Sequence, residues 1–166
     1  LKRYGLFMHL FNKPTDVGFD SDDNIYVTDG YENSRVMKFD RKGVFVKSWG
    51  TKGDSVGQFD LPHAIIVDKD NLLYVADRQN QRIQIFNTDG QFLKAWDNIG
   101  YPWGLVQYDN KFYMTDGHAG RLVELSKEGK ITGIYGKHNQ FGWPHMIAVD
   151  SKGNLYITEI KAWRIQ

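Results

Sequence analysis

The chain has 166 residues, enough for one domain with a core of its own, and its 21 basic and 20 acidic residues leave a formal net charge of +1. Without a Lys/Arg block or an apolar run near the ~20 residues of a membrane span, it carries no electrostatic footprint for nucleic acid and no membrane-crossing segment. It has no cysteine, which excludes internal disulfides and thiolate metal sites.

The elements repeat along the chain. The only four prolines, Pro14, Pro62, Pro102 and Pro144, stand 48, 40 and 42 residues apart. From Pro14 the chain reads "PTDVGFDSDDNIYVTDGYENSRVMKFDRKGVFVKSWG", and from Pro62 "PHAIIVDKDNLLYVADRQNQRIQIFNTDGQFLKAW". From Pro102 it reads "PWGLVQYDNKFYMTDGHAGRLVELSKEGKITGIYG", and from Pro144 the shorter "PHMIAVDSKGNLYITEIKAWRIQ". An acidic residue falls 15, 15, 14 and 15 places after the proline (Asp29, Asp77, Asp116, Glu159), and an arginine 21, 20, 19 and 20 places after it (Arg35, Arg82, Arg121, Arg164). These pairs are expected to act as struts from blade to blade. The units span about residues 14–50, 62–97, 102–136 and 144–166, all in one domain. The chain begins on Leu1 and stops at Gln166 within a strand pattern, so further sequence is expected on both sides, with any signal peptide upstream.

Each unit holds four short β-branched or aromatic runs, in the second "AIIV", "LLYVA", "RIQIF" and "FLKAW", separated by the turn-formers "DKDN", "DRQNQ" and "NTDG". No stretch has a helical period, and five Trp, nine Tyr, ten Phe and 17 Gly suit rings packed between sheets and glycines at corners. The expected fold is all-β. Four short strands per repeat of about 40 residues is the pattern of a β-propeller blade. The "D-x-x-N-x-R-I/V" element, present as "DGYENSRV" and "DRQNQRI", resembles the NHL-repeat family, whose propellers close with six four-stranded blades. The resemblance implies a partial propeller, about four blades of six, whose open sheet edges need missing blades or a self-associating partner.

In a four-stranded meander, successive turns alternate between the two ends of the sheet. The approach to strand one and the turn after strand two therefore share a face, which holds Thr15, His63, Trp103 and His145 together with Tyr31, Arg78 and His118. The opposite rim receives "DSDDN", "DKDN", "DSKGN", "DRKG" and "NTDG", the makings of solvated turns. His63 and His145 occupy one repeat position in alternate blades, about 120° apart in a six-bladed ring. A third histidine two blades before His63 would complete a triangle round the axis. That place lies upstream of Leu1, and His9 precedes Pro14 in the wrong register. Three neutral imidazoles with an open fourth position form a zinc site able to activate a bound oxygen, which makes His63 and His145 candidate ligands for zinc or another divalent metal. The competing structural reading makes each histidine, and His118, a hydrogen-bonding loop residue and Tyr31 a loop cap. In that reading Trp103 and Trp143 pack between blades rather than form an apolar wall.

From about Phe11 to Trp96 the chain resembles the lyase domain of peptidylglycine α-amidating enzymes and its bacterial NHL relatives, most closely in "PTDVGFD", "IYVTDGYENSRV", "LPHAIIV" and "VADRQNQRIQIF". The resemblance implies zinc on axial histidines, matched by His63 and His145, a catalytic tyrosine matched by Tyr31, and an arginine matched by Arg78. It implies an extracytoplasmic or secreted carbon–nitrogen lyase that splits a carbinolamide, a peptidyl-α-hydroxyglycine, at the channel mouth. Metal coordination would acidify the hydroxyl, Tyr31 would take its proton, and Arg78 would clamp a substrate carboxylate with its planar fork. A phenol with its ordinary pKa of about 10 needs the metal or Arg78 for that task. Some departures stand against the activity: Met146 replaces an acid, the family's cysteines are absent with Glu32 at one of their places, and its first histidine and another arginine would precede Leu1. The alternative is a non-catalytic NHL scaffold that binds protein or peptide. RNA binding, as in some NHL proteins, finds no basic surface in this composition.

Overall fold

A computed structural model describes residues 10–136 and 140–166, and His9 lies outside them. The first sheet holds β1 (Asp16–Phe19), β2 (Ile25–Asp29), β3 (Arg35–Phe39) and β4 (Phe45–Trp49). The second holds β5 (Pro62–Val67), β6 (Leu73–Asp77), β7 (Arg82–Phe86) and β8 (Phe92–Asp97). The third holds β9 (Pro102–Tyr108), β10 (Lys111–Asp116), β11 (Arg121–Leu125) and β12 (Ile131–Tyr135), and the fourth β13 (Pro144–Val149), β14 (Leu155–Glu159) and β15 (Arg164–Ile165). Every sheet is an antiparallel meander in chain order, and the described residues contain no helix. β1, β5, β9 and β13 stand side by side, so the chain is an all-β arc of four propeller blades, the fourth with three strands.

Strand alternation accounts for the core. In β6, Leu73 and Val75 pack with Tyr26 and Val36 of the first blade, while Tyr74 and Ala76 pack with Leu105, Phe112 and Met114 of the third. β6 is therefore buried on both faces along its whole length, as a strand between two sheets must be. β14 has a blade on one side only: Ile157 is buried against Leu122, and Tyr156 beside it is exposed. Each fully buried large apolar side chain contributes about 1.5–3 kcal/mol, so stability resides in the seams between blades.

A bulge at the head of the inner strand re-aims residues in the second, third and fourth blades. Proline has no N–H for the ladder, and pairing resumes only after an extra residue. Pro62 pairs with Asp77 and Ala64 with Ala76, leaving His63 unpaired. Pro102 pairs with Asp116 and Gly104 with Thr115, leaving Trp103. In the fourth blade His145 and Met146 together span one partner residue, Thr158. The residue before the proline is left-handed in three blades, with φ of 62° at Lys13, 63° at Leu61 and 59° at Trp143.

The acid–arginine pairs do not bridge blades as expected. Each joins the second and third strands of one blade: Asp29–Arg35 at 3.1 Å, Asp77–Arg82 at 2.8 Å, Asp116–Arg121 at 3.0 Å and Glu159–Arg164 at 2.7 Å. What they grip is the segment leading into that blade. The acid accepts the backbone N–H of Asn12, Asp60 and Gly142, two places before the proline, and the arginine donates to the carbonyls of Leu10, Gln58 and Gln140, four places before it. The four acids are buried, and burial demands these donors.

Gly30 follows the first of these acids and lies against the second blade. A Cβ there would sit 2.0 Å from the Pro62 carbonyl oxygen and 3.1 Å from Thr15 Cγ2. Gly30→Ala is expected to cost about 1–3 kcal/mol through overpacking, read as a lower urea midpoint at an unchanged slope.

Candidate functional site

Tyr31, His63, Arg78 and His145 come together at one mouth. The rings of His63 and His145 are 4.9 Å apart, edge to face at 82°. The Tyr31 hydroxyl is 3.3 Å from His63 Nε2. The Arg78 guanidinium lies 4.6 Å from the centre of the Trp103 ring and 5.9 Å from that of Tyr31. Trp103 is the hub, its ring centre 5.7 Å from His63, 5.3 Å from His145 and 5.6 Å from His118. Thr15 plays another part: its hydroxyl donates to the Pro62 carbonyl at 2.7 Å and ties the first blade to the second.

Local backbone explains the convergence. His63, Trp103 and His145 come from the bulges, while Tyr31 and Arg78 come from the turns after β2 and β6. The Arg78 N–H donates to the Leu61 carbonyl at 3.3 Å, which pins its turn beside the His63 bulge. Tyr31 is half-exposed, and its turn is one residue longer than that of Arg78.

The hydrogen bonds define the state of His63. Its Nδ1 is 2.6 Å from the Trp103 carbonyl oxygen. A carbonyl only accepts, so Nδ1 carries the proton, Nε2 keeps its lone pair, and the Tyr31 hydroxyl donates to it. Burial pushes the pKa of His63 down to about 4, the charges of Arg78 and His145 adding to the effect and the Trp103 carbonyl opposing it. Burial, then Arg78, also lowers His145, and burial lowers Arg78 against the pull of Tyr31. Both imidazoles are thus neutral near pH 7, the state a metal requires, and His63 has the carbonyl support common among metal-binding histidines. The donor chemistry suits two corners of a zinc site. No third His, Cys, Asp or Glu among the described residues joins them, whereas catalytic zinc takes three protein ligands.

A buried neutral histidine makes the metal-free protein acid-sensitive. Between the ordinary value of 6.5 and the folded value of about 4, the unfolded chain holds more protons on this group than the folded one. Stability therefore falls as pH drops through that window. Thermal melts from about pH 7 to about pH 4.5 should show a declining midpoint, and His63→Gln should flatten the decline.

Two contributors escaped the sequence reading. The Thr115 hydroxyl donates to the His145 carbonyl at 2.6 Å and accepts the Gly104 N–H at 2.8 Å, fixing the backbone under the second histidine. Its signal was available, since Thr28 and Thr158 also precede their blade's acid. Lys161 places its ammonium 4.0 Å from the centre of the Trp143 ring, and no repeat marks it.

A family profile described as a 6-bladed beta-propeller (DUF5128) matches residues 10–114. The chain is similar to Peptidyl-glycine alpha-amidating monooxygenase B of Xenopus laevis, 42% identical over 73 residues that make up 40% of this chain and 8% of that protein. It is similar to Peptidyl-alpha-hydroxyglycine alpha-amidating lyase 2 of Drosophila melanogaster, 26% identical over 161 residues, 89% of this chain and 39% of that protein. Among solved structures it is similar to a catalytically inactive virginiamycin B lyase from Staphylococcus aureus with quinupristin. That match has a TM-score of 0.75 at 19% identity over 94% of this chain and 53% of the other, and it speaks for the fold alone. The chain spans less than half the length of either curated relative.

Proposed function

The chain belongs to this six-bladed β-propeller family, and on that footing we propose that its mouth cleaves the carbon–nitrogen bond of a carbinolamide of the peptidyl-α-hydroxyglycine type. The observation that carries the reading is the meeting of Tyr31 with His63 at 3.3 Å, beside His145 and Arg78, and the name of the Drosophila relative, an alpha-amidating lyase, supports it.

The reaction needs no oxidant. The substrate hydroxyl loses its proton, the O–H pair becomes the second bond of an aldehyde carbonyl, and the C–N pair departs with the nitrogen, which gains a proton to become a primary amide. Tyr31 relays that proton, receiving it from the hydroxyl while giving its own to the leaving nitrogen, so it begins and ends neutral. Arg78 binds the substrate carboxylate with its fork and places positive charge where negative charge gathers. A zinc ion or another divalent metal, held by His63 and His145 with further ligands from beyond the described residues, would supply Lewis acidity to the hydroxyl. Neutral His63, oriented by the Trp103 carbonyl, has its one lone pair on Nε2, and the Tyr31 hydroxyl that now donates to it would turn to the substrate when a metal takes that lone pair. An extracytoplasmic location and a peptide substrate belong to the same reading, as does a covering of further blades or a second copy over exposed Val17, Phe19, Tyr156 and Ile165.

The test follows glyoxylate release from an N-acylated α-hydroxyglycine. It also compares the zinc content of the wild type with that of a His63→Ala, His145→Ala double variant, which is expected to hold none. Equal metal in both removes the metal from the mechanism, and absence of glyoxylate removes the lyase. Met146 and the two-donor set favour the alternative, a non-catalytic scaffold for peptides, which predicts peptide binding without release of glyoxylate.

A further inference from the structure

A cavity opens on the same mouth between the third and fourth blades. Its volume is about 270 Å³, and its lining includes His118, Gly120, Phe141, Gly142, Trp143 and Lys161. Sites that enclose a whole small ligand run to roughly 300–1,000 Å³, so this cleft suits a single side chain. Trp103 neighbours both this cavity and the histidines. Its ring is 5.3 Å from His145, 5.6 Å from His118 and 6.1 Å from Trp143.

The cleft is preformed by main chain. The Ile160 N–H donates to the Trp143 carbonyl at 3.1 Å and the Lys161 N–H to the Gly142 carbonyl at 2.9 Å, so the ring and the ammonium are carried on one clamped pair of segments. The left-handed backbone at Trp143 is shared with Lys13 and Leu61 and is therefore generic to the fold, but only in the fourth blade does it display an indole, 43% exposed.

We propose that this cleft binds an aromatic side chain, that of the residue preceding the hydroxyglycine; the assignment rests on the peptide-cleaving reading above. A peptide whose last residue meets the histidines crosses Trp103 and lowers its preceding side chain between Phe141 and Trp143. The Lys161 ammonium attracts the face of a ring and, with Arg78 nearby, repels a basic side chain. The carboxylate of Glu159 offers such a side chain no partner, being buried and committed to Arg164 and the Gly142 N–H. Lys161 is exposed, so its pairing with an acidic side chain would be worth no more than about fivefold in affinity, or about 1 kcal/mol.

Equilibrium titration of the full chain with N-acetyl-Phe-Gly, N-acetyl-Glu-Gly, N-acetyl-Lys-Gly and N-acetyl-Gly-Gly reads the subsite without chemistry, since none carries the hydroxyl. The Phe peptide is expected to bind about tenfold or more tightly than the Gly peptide, with the Lys peptide weakest. Trp143→Ala should bring the Phe/Gly ratio to about one with a near wild-type melt, and Tyr31→Phe should leave the ratio unchanged. Equal binding of the Phe and Gly peptides, preference for the Glu peptide, no binding of any, or an unchanged ratio in Trp143→Ala overturns the subsite. Glyoxylate release from the corresponding α-hydroxyglycine peptides is scored separately. A retained Phe preference without turnover overturns the cleavage reading and leaves the subsite standing; turnover without a Phe preference does the reverse.

Discussion

Replacing Tyr31 by phenylalanine is expected to lower the turnover number for a peptidyl-α-hydroxyglycine by about 10²–10⁴, with little change in KM. The substitution deletes one O–H and keeps the ring. The edge-to-face contact with His63, 5.8 Å between centres, and the approach of Arg78 at 5.9 Å both survive. Because Tyr31 is half-exposed, stability should move by no more than about 0.5 kcal/mol, so lost turnover cannot be blamed on unfolding. A drop in turnover without a rise in KM is the mark of a group that acts in the transition state. Turnover within threefold of the wild type would show that the proton travels another way.

Asp77→Ala should cost about 3–5 kcal/mol, a large share of the stability of an ordinary domain. Asp77 is fully buried and accepts from Arg82 at 2.8 Å, Asn80 at 2.8 Å, the Asp60 N–H at 2.8 Å and Gln84 at 3.2 Å. Alanine takes the shared acceptor from all four donors: the Asp60 N–H loses its partner, and the Arg82 guanidinium, its side chain only 11% exposed, loses its counter-charge while keeping only the neutral carbonyls of Ser55 and Gln58. The control is the Lys69–Asp70 pair, equally close at 2.8 Å but with side chains 73% and 48% exposed. Lys69→Ala should stay within about 1 kcal/mol. Urea midpoints of the two variants decide the matter, and a loss below about 1 kcal/mol in Asp77→Ala would mean that water replaces the carboxylate there.

The propeller was legible because each blade restates the same residue types at the same offsets. A proline opens every unit, and an acid and an arginine close its second turn, so one unit could be read against the next. The shared face of Tyr31, His63, Arg78 and His145 was legible for a simpler reason: in a meander, the parity of a turn decides its side. Distances were not. The partner that sets the His63 proton is the carbonyl of Trp103, and a carbonyl has no letter of its own. Offsets showed that Asp77 and Arg82 lie close together but not that both reach back to the approaching segment, because that contact depends on how residues 58–60 cross the end of the blade. Lys161 was invisible because its importance comes from the neighbouring Trp143, outside any repeated pattern.

In the first, second and fourth blades the buried acid and its arginine hold only the last few residues before the proline. The connection from β4 to β5 runs over residues 50–61 and that from β8 to β9 over only 98–101, yet His63 and Trp103 arrive 5.7 Å apart. Gly100, at the end of the shorter connection, packs directly on Asp116 and Arg121. Variation in length is thus absorbed at the perimeter, upstream of the grip, and never reaches the axis. Insertions and deletions in those outer stretches are consequently cheap for this architecture, which leaves the rim free to be reshaped while the residues at the mouth keep their alignment.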